Sequence, residues 1–172
     1  MDIKSFTDPV ILFVQHNAHL APLVCGLLAF GESLAVVSLV IPASTILLAL
    51  GALIASANLD FWPIAGAAAL GATLGDWVSY EIAKYYKYAV FRVWPLSRNP
   101  QMVEKGSAFI QKHGIWAVFI GRFFGPFRAV VPLFAGIFTM PFIPFMIANV
   151  ASAIIWAIGL LIPGLGLTWL MA

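Results

Sequence analysis

Four ionisable residues stand deep in otherwise apolar sequence: Glu32, Asp76, Arg122 and Arg128. A charged side chain at the centre of a membrane helix costs about 2.5–3.5 kcal/mol on insertion scales. Unpaired, the four would cost on the order of 10 kcal/mol, comparable to the whole stability of a typical domain. They must therefore pair with one another, line a wet cavity, or both, and two acids with two arginines balance in number. Buried ion pairs are a poor device for stability alone, because desolvation offsets most of their attraction. The residue types point instead to a binding site. Arginine stays charged when buried and presents a planar fork of donors matched to phosphate or carboxylate oxygens. A carboxylate such as Glu32 can exchange a proton as its surroundings change. An anion held by Arg122 and Arg128 beside Glu32 has the parts of proton-coupled anion movement, with Asp76 as a fixed partner for an arginine.

The composition puts these residues in a bilayer. Only 9% of the 172 residues are charged and 62% are hydrophobic, against roughly 25% charged in an average soluble domain. No segment is polar enough for a separate soluble domain, so residues 1–172 read as one all-α, polytopic membrane domain. The single Cys25 excludes an internal disulfide framework. Met1 to Asp8, with two acids and one lysine, do not read as a signal peptide. There is no Walker-type glycine loop, which removes direct ATP drive, and no cofactor is expected. His16 and His19 lack a third ligand nearby, so no metal is expected either. Nothing suggests a nucleic-acid partner, and self-association into a homo-oligomer is left open.

The elements that must position the four charges follow from the apolar runs. Residues 1–19, with Gln15, His16, Asn17 and His19, are too polar to span and suit an interfacial helix. Residues 20–83 read as a re-entrant hairpin plus a span. Leu20 to Leu59 holds one charge, Glu32, in 40 residues, and its middle carries Pro42, Ser44 and Thr45 but no charge. A turn there sits at membrane depth, where irregular backbone needs protein or water around it. Phe61 to Ala83 is the span; its Gly71 and Gly75 form a pair that lets another helix approach closely. Residues 84–112 carry six basic residues against one acid, Glu104, and read as a cytoplasmic loop. Residues 113–172 read as a second re-entrant hairpin plus a span. Gly125-Pro126 breaks the segment between the arginines. The break can aim both at one point and adds free backbone N–H groups to an anion site. The last span, Pro141 to Ile162, carries Asn149, Ser152 and Trp156 on one face, and the apolar tail after Pro163-Gly164 reads as a half-span. Gly31 precedes Pro42 by eleven residues, as Gly121 precedes Pro132. Two opposed hairpins related in this way would be an inverted repeat, with the site where broken helices meet near the midplane.

The segments Phe30-Gly31-Glu32-Ser33, Gly75-Asp76-Trp77-Val78-Ser79-Tyr80 and Gly121-Arg122-Phe123, the run Arg128-Ala129-Val130-Val131-Pro132, and Ala135-Gly136, Met140 and Asn149 beyond them resemble the DedA family of membrane proteins. The likeness covers about Leu20 to Pro163. It implies two facing re-entrant hairpins in the bacterial cytoplasmic membrane and a link to recycling of undecaprenyl phosphate, dependent on the proton motive force. Eukaryotic relatives are lipid scramblases. By position, Arg122 and Arg128 match the family's two arginines and Glu32 its first membrane acid. Ser44 stands where many members carry a second acid. The expectation is a flippase, not an enzyme, with no catalytic residue. Lipid phosphate would be held by Arg122 and Arg128, Glu32 would couple protons or gate, and Asp76, Asn149, Ser44 and Tyr80 would line or support the cavity. An uncoupled phospholipid scramblase and a membrane assembly or structural factor are the alternatives.

The charge bias places residues 84–112 in the cytoplasm and Asp60 on the other side. Single cysteines at Ser97 and Asn58, with Cys25 removed, test this by labelling from outside intact cells. Label is expected at Asn58 and not at Ser97; the reverse pattern inverts the orientation.

Overall fold

In hydrocarbon a backbone can satisfy its N–H and C=O groups only within helices or a closed barrel. The computed structural model describes residues 4–34, 43–56, 59–87, 100–124, 128 and 130–171, and every regular element among them is helical. The helices are α1 (Lys4–His16), α2 (Ala21–Ser33), α3 (Ala43–Ser56), α4 (Phe61–Tyr86), α5 (Pro100–His113), α6 (Ile115–Gly121), α7 (Val130–Ile137) and α8 (Phe142–Met171). A 3₁₀ turn, Ala18–Leu20, joins α1 to α2, and the chain bends there by 113°. The tips of both expected hairpins, with Pro42 and Gly125-Pro126, lie outside the described residues, as do Arg92 and Arg98.

Helix α4 is the central element. Helices α2, α7 and α8 all pack on it, while α3 packs chiefly on α8. Small residues set these approaches. A Cβ at Gly71 would collide with the carbonyl oxygen of Gly26, and one at Gly75 would come within 2.6 Å of both the Phe30 oxygen and Ser33 Cβ. The Gly71/Gly75 pair therefore receives α2, whose last turn carries Glu32. On the side of α7, a Cβ at Gly136 would collide with the Tyr80 carbonyl oxygen. Trp62 and Tyr85, both well exposed, stand about 35 Å apart along α4 at 1.5 Å per residue. That separation is enough to cross a hydrocarbon core of about 30 Å.

By length and composition, Phe142–Pro163 of α8 is the described helix apolar enough to cross a membrane. The helix does not stop there. It continues through Pro163 to Met171, so the tail is not a separate half-span. Breaking a helix in an apolar run would strand several backbone groups, whereas proline within it forfeits one bond. The basic segment differs from expectation too. Half of it is helix α5, which packs on α7, with Gly106 set directly against the Phe134 ring.

The apolar core divides in two. One cluster joins α2, α3, the first half of α4 and the second half of α8, through Cys25, Leu47, Ala72, Ala153 and Leu161. The other joins the end of α4 to α5, α6, α7 and the start of α8, through Tyr80, Ile110, Ala117, Phe134 and Phe145. Helices α4 and α8 thus run antiparallel. Between the clusters lies a buried polar layer of Glu32, Thr73, Asp76, Arg122, Arg128, Asn149 and Ser152. Ser152 stands near the midpoint of Phe142–Pro163.

Gly71→Val should lower stability by about 1–3 kcal/mol, the usual effect of overpacking, seen as a fall in the thermal midpoint in detergent. Gly66→Val on the same helix, where an added Cβ meets nothing within 4 Å, should not. Equal midpoints for the two variants would refute the glycine-dependent docking of α2.

Candidate functional site

Arg122 follows the last residue of α6 and turns its guanidinium into the polar layer, where it is 3% exposed. Its Nη2 donates to Asp76 Oδ2 on α4 and to Asn149 Oδ1 on α8. Its Nε donates to Ser152 Oγ at 3.0 Å. These partners are themselves held. Asn149 Nδ2 donates to the Thr73 carbonyl at 3.0 Å, and the Ser152 hydroxyl to the Asn149 carbonyl at 3.0 Å. The network ties α4 to α8 at the level of the arginine and fixes the plane of its fork.

Arg128 is held differently. Its Nη1 lies 2.8 Å from Glu32 Oε1, and its guanidinium stacks on the Trp156 ring, 4.1 Å from the ring centre. Cation–π contacts of this kind contribute about 0.5–2 kcal/mol, most when desolvated. Glu32 sits at the negative end of α2, where the helix dipole disfavours a carboxylate, and Arg128 offsets that. The two acids are thus divided between the two arginines, Asp76 with Arg122 and Glu32 with Arg128.

Both arginines open onto one pocket of about 450 Å³, lined also by Glu32, Phe123, Trp156 and Leu160. That volume lies within the usual range for small-molecule sites, about 300–1,000 Å³. Three buried guanidinium nitrogens, Arg122 Nη1 and Arg128 Nε and Nη2, make no hydrogen bond among the described residues. Each such donor costs about 1–3 kcal/mol if left unmet. The floor is charge-balanced, with guanidinium donors in reserve that are suited to an oxyanion.

The structure brings Glu32, Arg122 and Arg128 to the pocket, and places Asp76 and Asn149 behind Arg122 as its partners. Tyr80 lies apart, in the second apolar cluster. Its hydroxyl donates to the Met140 carbonyl at 2.6 Å and its ring stacks on Phe145, which buttresses α4 against α8. Ser44 is in the first turn of α3, its side chain outside the described set. Ser152 and Trp156 were not among the expected site residues. Their signal was the shared face with Asn149 on one helix: all three contact an arginine.

A family model described as the VTT domain matches residues 41–165. The chain belongs to the VTT-domain (DedA) family. Asp76, Arg122, Arg128 and Asn149 fall within the matched residues and Glu32 before them. The inner membrane protein YabI of Escherichia coli is 31% identical over 153 residues, which is 89% of this chain and 60% of YabI. The membrane protein BU139 of Buchnera aphidicola gives the same figures. The inner membrane protein YghB of E. coli is 27% identical over 156 residues, 90% of this chain and 68% of YghB. The chain thus spans about 60% of the length of the first two relatives. No solved structure matches it. The VTT family is one of transporter-like membrane proteins, and this member belongs to the bacterial inner membrane.

Asp76→Asn should lower stability by about 3–5 kcal/mol, the usual effect of stranding one partner of a buried ion pair. Folded yield in detergent, read by size-exclusion chromatography, should collapse. Full yield would mean that Asp76 is dispensable to the Arg122 network.

Proposed function

We propose that this VTT-family protein moves a lipid phosphate across the bacterial cytoplasmic membrane, coupled to protons, with undecaprenyl phosphate as the first candidate. The observation that supports this reading most is the pair of buried arginines facing one pocket, with three guanidinium nitrogens unbonded among the described residues. A phosphate has enough oxygens to meet all three donors, and charge-assisted bonds of this kind are the strong ones. Arg122, fixed by the side chains of Asp76, Asn149 and Ser152, receives the phosphate. Arg128, held by one carboxylate and one ring, exchanges Glu32 for it. A carboxylate displaced from its counter-charge in low dielectric is costly while ionised, so Glu32 takes up a proton as the phosphate binds. Reversal on the other side of the membrane returns the proton and releases the lipid.

A transporter fits better than a membrane phosphatase acting on the same lipid. His16 and His113 each bond a carbonyl of their own helix, and His19 borders a different pocket, beside Asp60. None reaches the arginines. One specific feature favours an uncoupled scramblase instead, namely Ser44 in place of a second acid. A structural or assembly factor would need the arginines only as counter-charges to Asp76 and Glu32.

The test is movement of labelled undecaprenyl phosphate in liposomes, with and without an imposed pH gradient. Arg122→Lys and Arg128→Lys should each lose at least about tenfold in rate, nearly as much as the alanine variants. A point charge cannot replace two-pronged bonds worth about 1.5–3 kcal/mol each. Glu32→Gln should stay folded and inserted yet lose the response to the gradient. Wild-type movement that ignores the gradient would replace coupling with scrambling, and full rates in both lysine variants would reduce the site to a positive patch.

A further inference from the structure

The arginine pocket has two unlike ends. Its floor is buried and polar, with Glu32, Arg122, Arg128 and Trp156 each less than a tenth exposed. Its rim is apolar: Phe123 is 47% and Ile155 52% exposed, and Gly159 and Leu160 complete it. Ile155, Gly159 and Ile162 are exposed on the same side of α8, the helix whose length and composition suit a span. That helix carries no charged residue between Phe142 and Pro163. Its exposed apolar side therefore faces acyl chains, not water.

We infer that the pocket opens sideways into the hydrocarbon between Phe123 and the Ile155–Leu160 stretch of α8, so that a lipid phosphate enters laterally, its headgroup on the arginines and its chain left in the bilayer across Gly159. The inference rests on the lipid-phosphate reading and adds the route and the feature that selects the ligand. A long apolar chain stays in the solvent it prefers, and the phosphate alone crosses to the buried floor. A soluble anion has no apolar chain to lay over the rim and gains nothing from it. Gly159 is the narrow point of the argument. A Cβ built there meets no atom of the described residues within 4 Å, so none of them packs against the glycine. Its lack of a side chain leaves a notch in the wall of α8 at the pocket rim.

Gly159→Phe tests this without threatening the fold. The ring projects into open space, and replacing glycine within a helix favours the helix by up to about 1 kcal/mol. Binding of two probes is measured by titration calorimetry in nanodiscs: farnesyl phosphate, which carries a chain, and inorganic phosphate, which does not. Wild type should bind farnesyl phosphate the more tightly. Gly159→Phe should lower that affinity about tenfold, what two lost methylene contacts amount to, and leave inorganic phosphate within about twofold. Arg128→Ala should weaken both probes alike. Unchanged farnesyl phosphate binding in Gly159→Phe, or an equal loss for both probes, overturns the portal while leaving the anion site in place. A wild type that binds inorganic phosphate as tightly as farnesyl phosphate also overturns the portal. Binding of neither probe by wild type sinks the portal and the lipid-phosphate reading together.

Discussion

A guanidinium near the middle of a bilayer has to be satisfied by protein, and the rest of the architecture follows from how Arg122 meets that demand. Asp76 comes from α4, and Asn149 and Ser152 from α8. For those three to converge, the two long helices must run antiparallel and in one register, with the polar residues of each at the same depth. The apolar clusters above and below the layer are what hold that register. Slipping α8 by one turn would carry Asn149 and Ser152 into an apolar cluster and leave the arginine with its carboxylate alone.

The second arginine shows why one polar layer holds two kinds of site. Arg122 has partners on two helices, and the two on α8, Asn149 and Ser152, are each braced by a further hydrogen bond. Among the described residues, Arg128 has one carboxylate, one aromatic face and two nitrogens with no hydrogen bond. Rearranging the first would break several buried bonds together, and such networks resist piecemeal change. Rearranging the second exchanges one ion pair for another. In the proposed function, a fixed cation beside an exchangeable one would hold a phosphate and sense it at once. Trp156 gives Arg128 a second contact besides its carboxylate partner.

Close helix contact makes this possible. Glu32 reaches Arg128 because α2 lies against Gly71 and Gly75 of α4, where backbones meet with no side chain between them. In lipid, helices gain little from burying leucine against leucine, so small residues and polar contacts decide which faces meet. The Ser79 hydroxyl, donating to the Ser33 carbonyl at 3.3 Å, adds a polar tie beside the same glycines. The VTT-family match begins at residue 41 and so takes in both arginines and Asp76 but not Glu32. The acid is delivered by packing on the matched core.

By itself the sequence determined that the protein lives in a membrane, that it is helical, and which four charges matter. These follow from composition and from the high cost of charge in hydrocarbon, which leaves few ways to place an arginine there. The glycine pair on α4 and the polar face of α8 were equally legible, because small residues and polar side chains in apolar helices have few other uses. Only the tertiary structure decided which acid meets which arginine. Opposite charges attract at any sequence separation, and a separation of 46 positions between Asp76 and Arg122 contains no rule for pairing them. It decided that Trp156 stacks on Arg128, that Tyr80 braces the second core away from the pocket, and that α8 runs on through Pro163. Those outcomes depend on which helix faces meet across the fold, and local pattern shows that a face is polar or apolar without showing what it meets.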